Sequence, residues 1–224
     1  MTDYYSHSLY GENLKRVYEI APPRVRQYLK AEIEYIRKET SGMDQIIELG
    51  CGYGRVMKSL SPHVGHIVGV DLSGKTLEFA AKYLSELSNC HLFQMNAAQL
   101  GFQPQVFDAV LCVQNGLSAF RVDSRKLVEE AIRVTRSGGL LLFSSYSPKF
   151  WGHRLEWFHL QAEEGLIGDI DESKTENGII VCKDGLRLTF VGEKQFTKLF
   201  TSEKTTVSTI EVDESSVFCR VEVL

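Results

Sequence analysis

The chain has little that would tie it to an oxidising compartment, a membrane or a polyanion. Its five cysteines, Cys51, Cys90, Cys112, Cys182 and Cys219, are odd in number, and no two form a C-x-x-C pair. That argues against a disulfide framework and fits a reducing compartment, so the cytoplasm is the expected location. No segment approaches the roughly 18 continuous apolar residues of a spanning helix. The N-terminal MTDYYSHSLYGENLKRVYE lacks the apolar core of an export signal, so neither a span nor a cleaved leader is expected. A basic stripe is missing too: 25 Lys and Arg stand against 29 Asp and Glu, for a formal net charge of −4. The densest basic spots, Arg24, Arg26 and Lys30 and then Arg133 and Arg136, read as helix faces, which leaves nucleic acid a poor partner. The histidines are scattered, and the single close pair, His63 and His66, has no third ligand near it. No metal site is expected.

What is present suits a folded enzyme-sized domain. At 224 residues, 43% hydrophobic and 24% charged, the chain can bury one sizeable core and carry an appendage. Pro22-Pro23 opens an amphipathic helix over 24–38, within an N-terminal helical and lid region of residues 1–44. A strand and helix alternation follows: strands at 45–49, 66–70, 91–95, 106–112 and 139–145, and helices at 54–60, 74–87 and 124–136. Short apolar strands separated by helices predict a parallel sheet covered on both faces, a core spanning 45–146. Residues 147–177 are aromatic and charged without a clean period, and a hairpin follows in which Lys183-Asp184-Gly185 turns between 179–182 and 186–190. Residues 147–192 thus read as an inserted cap containing a β-hairpin. A helix at 193–200 and alternating runs at 205–212 and 217–223 complete the core. The fold class is α/β: a doubly wound, mostly parallel seven-stranded sheet ending in an antiparallel strand pair.

Ligands of such sheets bind outside the carboxyl ends of the strands. The first strand leaves through 46-IIELGCGYGRV-56, where Gly50, Gly52 and Gly54 let the backbone turn and approach a ligand closely. Glu48, two residues before the first glycine, suits a positively charged ammonium and not a pyrophosphate. Arg55 stands where the dinucleotide pattern G-x-G-x-x-G wants its third small residue, so a nicotinamide oxidoreductase is disfavoured. Asp71, twenty-one residues beyond Gly50, ends the second strand, where a carboxylate can accept from both hydroxyls of a ribose. After the third strand, Asn96 offers a side-chain partner and Ala97 a backbone N–H to a base edge. The stretch from Gly69 to Thr76 also satisfies G-x-x-x-x-G-K-[ST], but no later strand ends in a metal-holding Asp and no N-K-x-D motif exists. Lys75 and Thr76 read as the opening of a helix.

Together the segments E-L-G-C-G-Y-G, G-V-D-L-S, N-A-A-Q-L, F-D-A-V-L-C and S-G-G-L-L-L, spread over residues 45–145, resemble class I S-adenosylmethionine-dependent methyltransferases. The resemblance implies that S-adenosylmethionine is the cofactor, leaving as S-adenosylhomocysteine. It also implies that Glu48 and the loop of Gly50, Cys51, Gly52 and Gly54 face the methionyl tail, and Asp71 with Leu72 the ribose side. Asn96 and Ala97 then face the adenine, and Val113 and Gln114 lie near the sulfonium. The family more often carries Asp at the position of Asn96.

Candidates for the substrate side come from the cap and the N-terminus. Tyr146 and His153 are the candidate catalytic groups, with His153 as a base, and Trp151, Arg154, Asn115 and Tyr5 are candidate substrate contacts. Arg154 is read as a partner for an anionic group, and Tyr4 and Tyr5 as a lid. The opposing reading is packing, because Trp151, Leu155 and Phe158 fall at helical spacing. An acidic chain with a compact cap favours a small-molecule methyl acceptor and in-line displacement, the alternative being a non-catalytic module that binds the cofactor without turnover.

Overall fold

The computed structural model describes residues 9–120 and 122–224. Two helices, α1 (Gly11–Glu19) and α2 (Pro23–Thr40), precede the alternation β1 (Gln45–Leu49), α3 (Arg55–Leu60), β2 (His66–Asp71), α4 (Gly74–Tyr83), β3 (Cys90–Gln94) and β4 (Phe107–Cys112). The chain continues through α5 (Gly116–Ala119), α6 (Ser124–Val134), β5 (Thr135–Tyr146) and α7 (Trp151–Glu163) to the short hairpin β6 (Ile180–Val181) and β7 (Arg187–Leu188). It closes with α8 (Glu193–Phe200), β8 (Thr205–Val212) and β9 (Ser216–Val223). The seven-stranded sheet runs β3-β2-β1-β4-β5-β9-β8, with β6 and β7 forming a sheet of their own. Strands β1 to β5 pair in parallel and β9 is antiparallel to both β5 and β8, the arrangement expected from the sequence.

The central strands read as unbroken apolar runs because both of their faces are covered: all six residues of β4 are buried. On one face Ile47, Val110, Leu127, Phe143 and Phe196 pack together, and on the other Ile36, Ile46, Met57, Leu111 and Phe218. Gly69, in the middle of β2, is required by close approach, since a Cβ there would lie 2.4 Å from Met57 Sδ and 2.8 Å from Cys51 Sγ. A third cluster joins the N-terminal helices to the insertion through Val17, Tyr28, Tyr146, Trp157, Phe158 and Ile180. The indole Nε1 of Trp157 donates to Val17 O across that contact at 2.9 Å. The cap and the N-terminal helices therefore share one apolar core.

Register sets the site. Glu48 of β1 lies opposite Gly69 of β2 and Leu111 of β4, so Asp71 and Val113 project one step beyond the same sheet edge. At the other edge, Asp108 Oδ2 accepts from Asp44 N at 2.7 Å and from Gln45 N at 3.1 Å, fixing the entry of β1.

Several local readings change, among them the helix expected at 74–87, which ends at Tyr83. The helix expected at 124–136 stops at Val134, because Thr135 is already extended and its hydroxyl donates back to Ala131 O at 2.7 Å. The strand then begins at Thr135 and not near 139, with a register shift opposite Phe107–Ala109 that accommodates Gly138 at φ +74. Within the insertion, the helical spacing of Trp151, Leu155 and Phe158 belongs to α7, but the face it buries is a neighbouring one and only half apolar. Arg154, Trp157, Phe158 and Gln161 fall at i, i+3, i+4 and i+7, and two of the four are polar. None of the described helices is long and apolar enough to cross a membrane.

Candidate active site

A cavity of about 410 Å³ opens at the carboxyl ends of β1, β2 and β4. Its floor includes Glu48, Gly50, Gly52, Asp71 and Val113, and its roof comes from α1, α7 and the hairpin. This is where an open parallel sheet offers a crevice.

Asp71 organises the floor. Its Oδ2 accepts from Gly52 N at 3.0 Å and its Oδ1 from Ser73 N at 2.9 Å, so one carboxylate ties the glycine loop after β1 to the turn after β2. Ser73 then caps α4, accepting from Thr76 N at 3.3 Å, so Gly74, Lys75 and Thr76 open a helix as expected and do not form a phosphate loop. Gly50 sits at φ +72, where a side chain is strained, and a Cβ there would lie 2.9 Å from the ring of Phe120.

Beside this lies a buried charged cluster. Glu48 is 4% exposed, lines the cavity, and its Oε2 has no hydrogen-bond partner among the described residues. Burial pushes its carboxyl up to about 8; Arg55 opposes the shift, while Glu32 and Asp71 add to it. Arg55, the first residue of α3, also lines the cavity and stacks over Tyr18 with its guanidinium carbon 5.0 Å from the ring centroid. Its Nη2 is 3.9 Å from Glu32 Oε2 and makes no hydrogen bond among the described residues. Glu32 comes from the middle of α2 and is fully buried; burial raises its pKa against the opposing Arg55 charge. Its Oε1 accepts from Ser144 Oγ at 2.5 Å and from Gln114 N at 3.2 Å.

That network holds the turn after β4. Gln114 and Asn115 are consecutive non-glycine residues in the left-handed region, at φ +54 and +61. Besides the Glu32 contact, Gln114 N donates to Ser144 Oγ at 2.8 Å, and Asn115 Nδ2 donates to Thr189 O at 2.8 Å while its Oδ1 accepts from Ser145 Oγ at 2.7 Å. The side chain of Gln114 consequently faces the cavity, where its Oε1 accepts from Tyr18 Oη at 2.5 Å.

The structure brings Glu48, Gly50, Cys51, Gly52, Asp71, Leu72, Val113, Gln114 and Tyr146 to this one cavity. Several other sequence candidates lie elsewhere. Gly54 caps α3 against Leu84, Asn96 accepts from Ala98 N at 2.9 Å, and Ala97 is buried in the core. Asn115 is engaged with backbone and Ser145 as described. His153 is half-exposed on α7, 3.7 Å from Glu156, and does not line the cavity, so geometry withdraws the base role expected of it. Trp151 is likewise outside. Arg154 is only 1% exposed and is engaged within the protein: it donates to Gly178 O at 2.8 Å and Thr189 O at 3.2 Å and stacks 4.4 Å from the Tyr146 centroid. Tyr4 and Tyr5 lie outside the described residues. Sequence reasoning missed Glu32, Tyr18 and Gln161. A charged residue on the apolar face of the 24–38 helix was the available signal for the first.

Residues 46–139 match a family model described as a methyltransferase domain. The chain is 27% identical over 139 residues to the ubiquinone biosynthesis O-methyltransferase of Nitrosomonas europaea, covering 60% of this chain and 55% of that protein. It thus spans little more than half the length of that curated relative. Among solved structures, a protein of Pyrococcus horikoshii OT3 covers 100% of both chains at a TM-score of 0.74 and 18% identity. The N-methyltransferase NodS of Bradyrhizobium japonicum WM9, solved with S-adenosyl-L-homocysteine, covers 95% of this chain and 97% of its own at a TM-score of 0.63 and 15% identity. At those identities the likeness is one of fold.

Proposed function

We propose that this chain, which matches a methyltransferase domain over residues 46–139 and shares the fold of methyltransferases, is a class I S-adenosylmethionine-dependent methyltransferase that transfers a methyl group to a small molecule. The observation that carries the reading is the opposed pair at the cavity floor. Glu48 has an enclosed carboxylate oxygen without a partner, and Arg55 an enclosed guanidinium nitrogen without a hydrogen bond, both among the described residues. An amino-acid tail carries one ammonium and one carboxylate, and each would satisfy one of these atoms. Asp71, a carboxylate at the tip of β2 that lines the same cavity, suits a vicinal diol beside that tail. The residues present therefore fit S-adenosylmethionine.

When bound, that cofactor supplies an activated methyl on a sulfonium. The chain's contribution is alignment, for which well-oriented reactions gain about 7–11 kcal/mol. Glu48, Arg55 and Asp71 anchor the tail and sugar. Val113 and Gln114, held by Glu32 and Ser144, form the wall between floor and roof. Trp157 and Phe158, both buried, keep water from the acceptor side. No histidine lines the cavity among the described residues, and burial pushes the Cys51 thiol well above its ordinary range. In-line displacement supported by positioning is the mechanism these groups favour.

Titration calorimetry with S-adenosylhomocysteine and with adenosine tests this. Arg55→Met and Glu48→Gln should each weaken S-adenosylhomocysteine roughly tenfold or more, the loss of one charge-assisted hydrogen bond, and leave adenosine within about twofold. Equal losses for both ligands, or no heat with either, would overturn the reading.

A further inference from the structure

The floor of the cavity is charged and its roof is not. Glu48, Asp71 and Arg55 all sit at the strand ends and the glycine loop, whereas the described roof residues include Leu14 and Val17 of α1, Trp157 and Phe158 of α7, and Ile167 and Leu188 beyond it. No Asp, Glu, Lys, Arg or His of the described residues lines the roof. The one cation buried on α7, Arg154, is spent on Gly178 O and Thr189 O beneath the aromatic rings. A charged ligand group entering this end would lose its hydration without a counter-charge, at a cost of several kcal/mol.

One polar side chain breaks the apolar wall. Gln161 is 2% exposed, lines the cavity, and lies three and four residues beyond Phe158 and Trp157 on the same face of α7. Its Nε2 is enclosed and has no hydrogen-bond partner among the described residues. The same holds for Nε2 of Gln114 at the junction of floor and roof, whose Oε1 is already taken by Tyr18. An enclosed donor left unmade is costly, and a ligand oxygen would remove that cost.

We propose that the roof end is the methyl-acceptor site and that it selects an uncharged, mostly hydrocarbon molecule whose ether, carbonyl or hydroxyl oxygen is held by Gln161. This deepens the methyl-transfer reading and rests on it for the word acceptor. Selection of a neutral ligand rests on the roof alone.

Four nearly isosteric probes decide it: benzyl alcohol, ethylbenzene, benzoate and benzylammonium, each titrated by ligand-observed NMR into the full chain at neutral pH, with and without saturating S-adenosylhomocysteine. Benzyl alcohol should bind at least about tenfold more tightly than either ion, the loss expected for an unpaired charge in an apolar pocket. Gln161→Leu, a volume-conserving change, should weaken benzyl alcohol roughly fivefold to tenfold and leave ethylbenzene within about twofold. Thermal unfolding and S-adenosylhomocysteine affinity serve as folding controls for that variant. Absence of benzyl alcohol binding, an ion binding as tightly, or an unchanged preference for the alcohol over ethylbenzene in Gln161→Leu each overturn the proposal. The wild-type ranking judges the charge argument without any variant. If S-adenosylhomocysteine gives no heat while the probes rank as stated, the methyl-transfer reading fails and the neutral-ligand site stands; the converse pattern removes only the site.

Discussion

Glu32, in α2, accepts a hydrogen bond from the backbone N–H of Gln114, eighty-two residues later, at 3.2 Å. Through that contact and the one from Ser144, a helix outside the strand and glycine-loop motifs fixes a left-handed turn in the wall of the cavity. Replacing Glu32 by Leu would leave the Gln114 turn and Arg55 short of their buried partner. Removing one member of a buried charged cluster costs about 3–5 kcal/mol, and urea unfolding should read a loss of that order. Glu32→Gln, which keeps an acceptor oxygen, should lose less.

Asp71 holds two backbone donors, and its loss should be felt in binding more than in stability, because Gly52 and Ser73 can turn to water at a partly exposed site. Asp71→Ala should weaken S-adenosylhomocysteine by about 100-fold in calorimetry, equivalent to roughly 2.7 kcal/mol, and Asp71→Asn by less. An unaffected Asp71→Ala would remove the diol contact from the proposed site.

The raised pKa of Glu48 makes both stability and binding depend on pH, with opposite signs. In the ligand-free protein, the elevation from 4.5 to about 8 favours the protonated carboxyl. That contribution is complete below about 4.5 and disappears as pH rises through 8. A cationic tail selects the ionised form instead, so affinity should rise between about pH 6 and 7.5, where an α-ammonium stays mostly charged. Calorimetry in buffers of different ionisation enthalpy should detect proton release in the wild type and a flat profile in Glu48→Gln.

Gly50→Ala separates conformational strain from crowding. The left-handed backbone alone costs an alanine about 1–2 kcal/mol. The new methyl also meets the Phe120 ring, since the Cβ position lies 2.9 Å from it. Thermal unfolding of Gly50→Ala, Phe120→Ala and the double variant should show partial recovery in the double, because shortening Phe120 relieves the contact and leaves φ +72 unchanged.

Arg154 and His153 are neighbours with opposite expectations. Arg154→Ala removes a fully enclosed guanidinium that two carbonyls and three aromatic rings surround, and should destabilise the protein by about 3 kcal/mol or more. His153→Ala lies on the solvent face and should change stability by no more than about 0.5 kcal/mol.

The sheet and the strand-end floor of the cavity were legible because both follow from short-range rules. Period, strand length and turn residues define β1 to β5, and a glycine loop followed at fixed distance by Asp71 marks two adjacent strand tips. The roof was not legible, since α7 buries Arg154 and Gln161 among aromatics and breaks the apolar period that would have announced it. His153 looked chemically apt and Gln161 did not. One helical face decided between them.

By itself the sequence determined the order of β1 to β5 with α3, α4 and α6 between them, the glycine bend and the carboxylates at Glu48 and Asp71, because local propensity and spacing along the chain are enough to specify them. Only the tertiary structure decided that Glu32, Arg55, Tyr18 and Gln114 form one enclosed cluster, and that Arg154 packs while Gln161 faces the cavity. Those outcomes depend on helices far apart in the chain meeting over the sheet, where burial and the geometry of the partner, and not residue type, set what each polar group does.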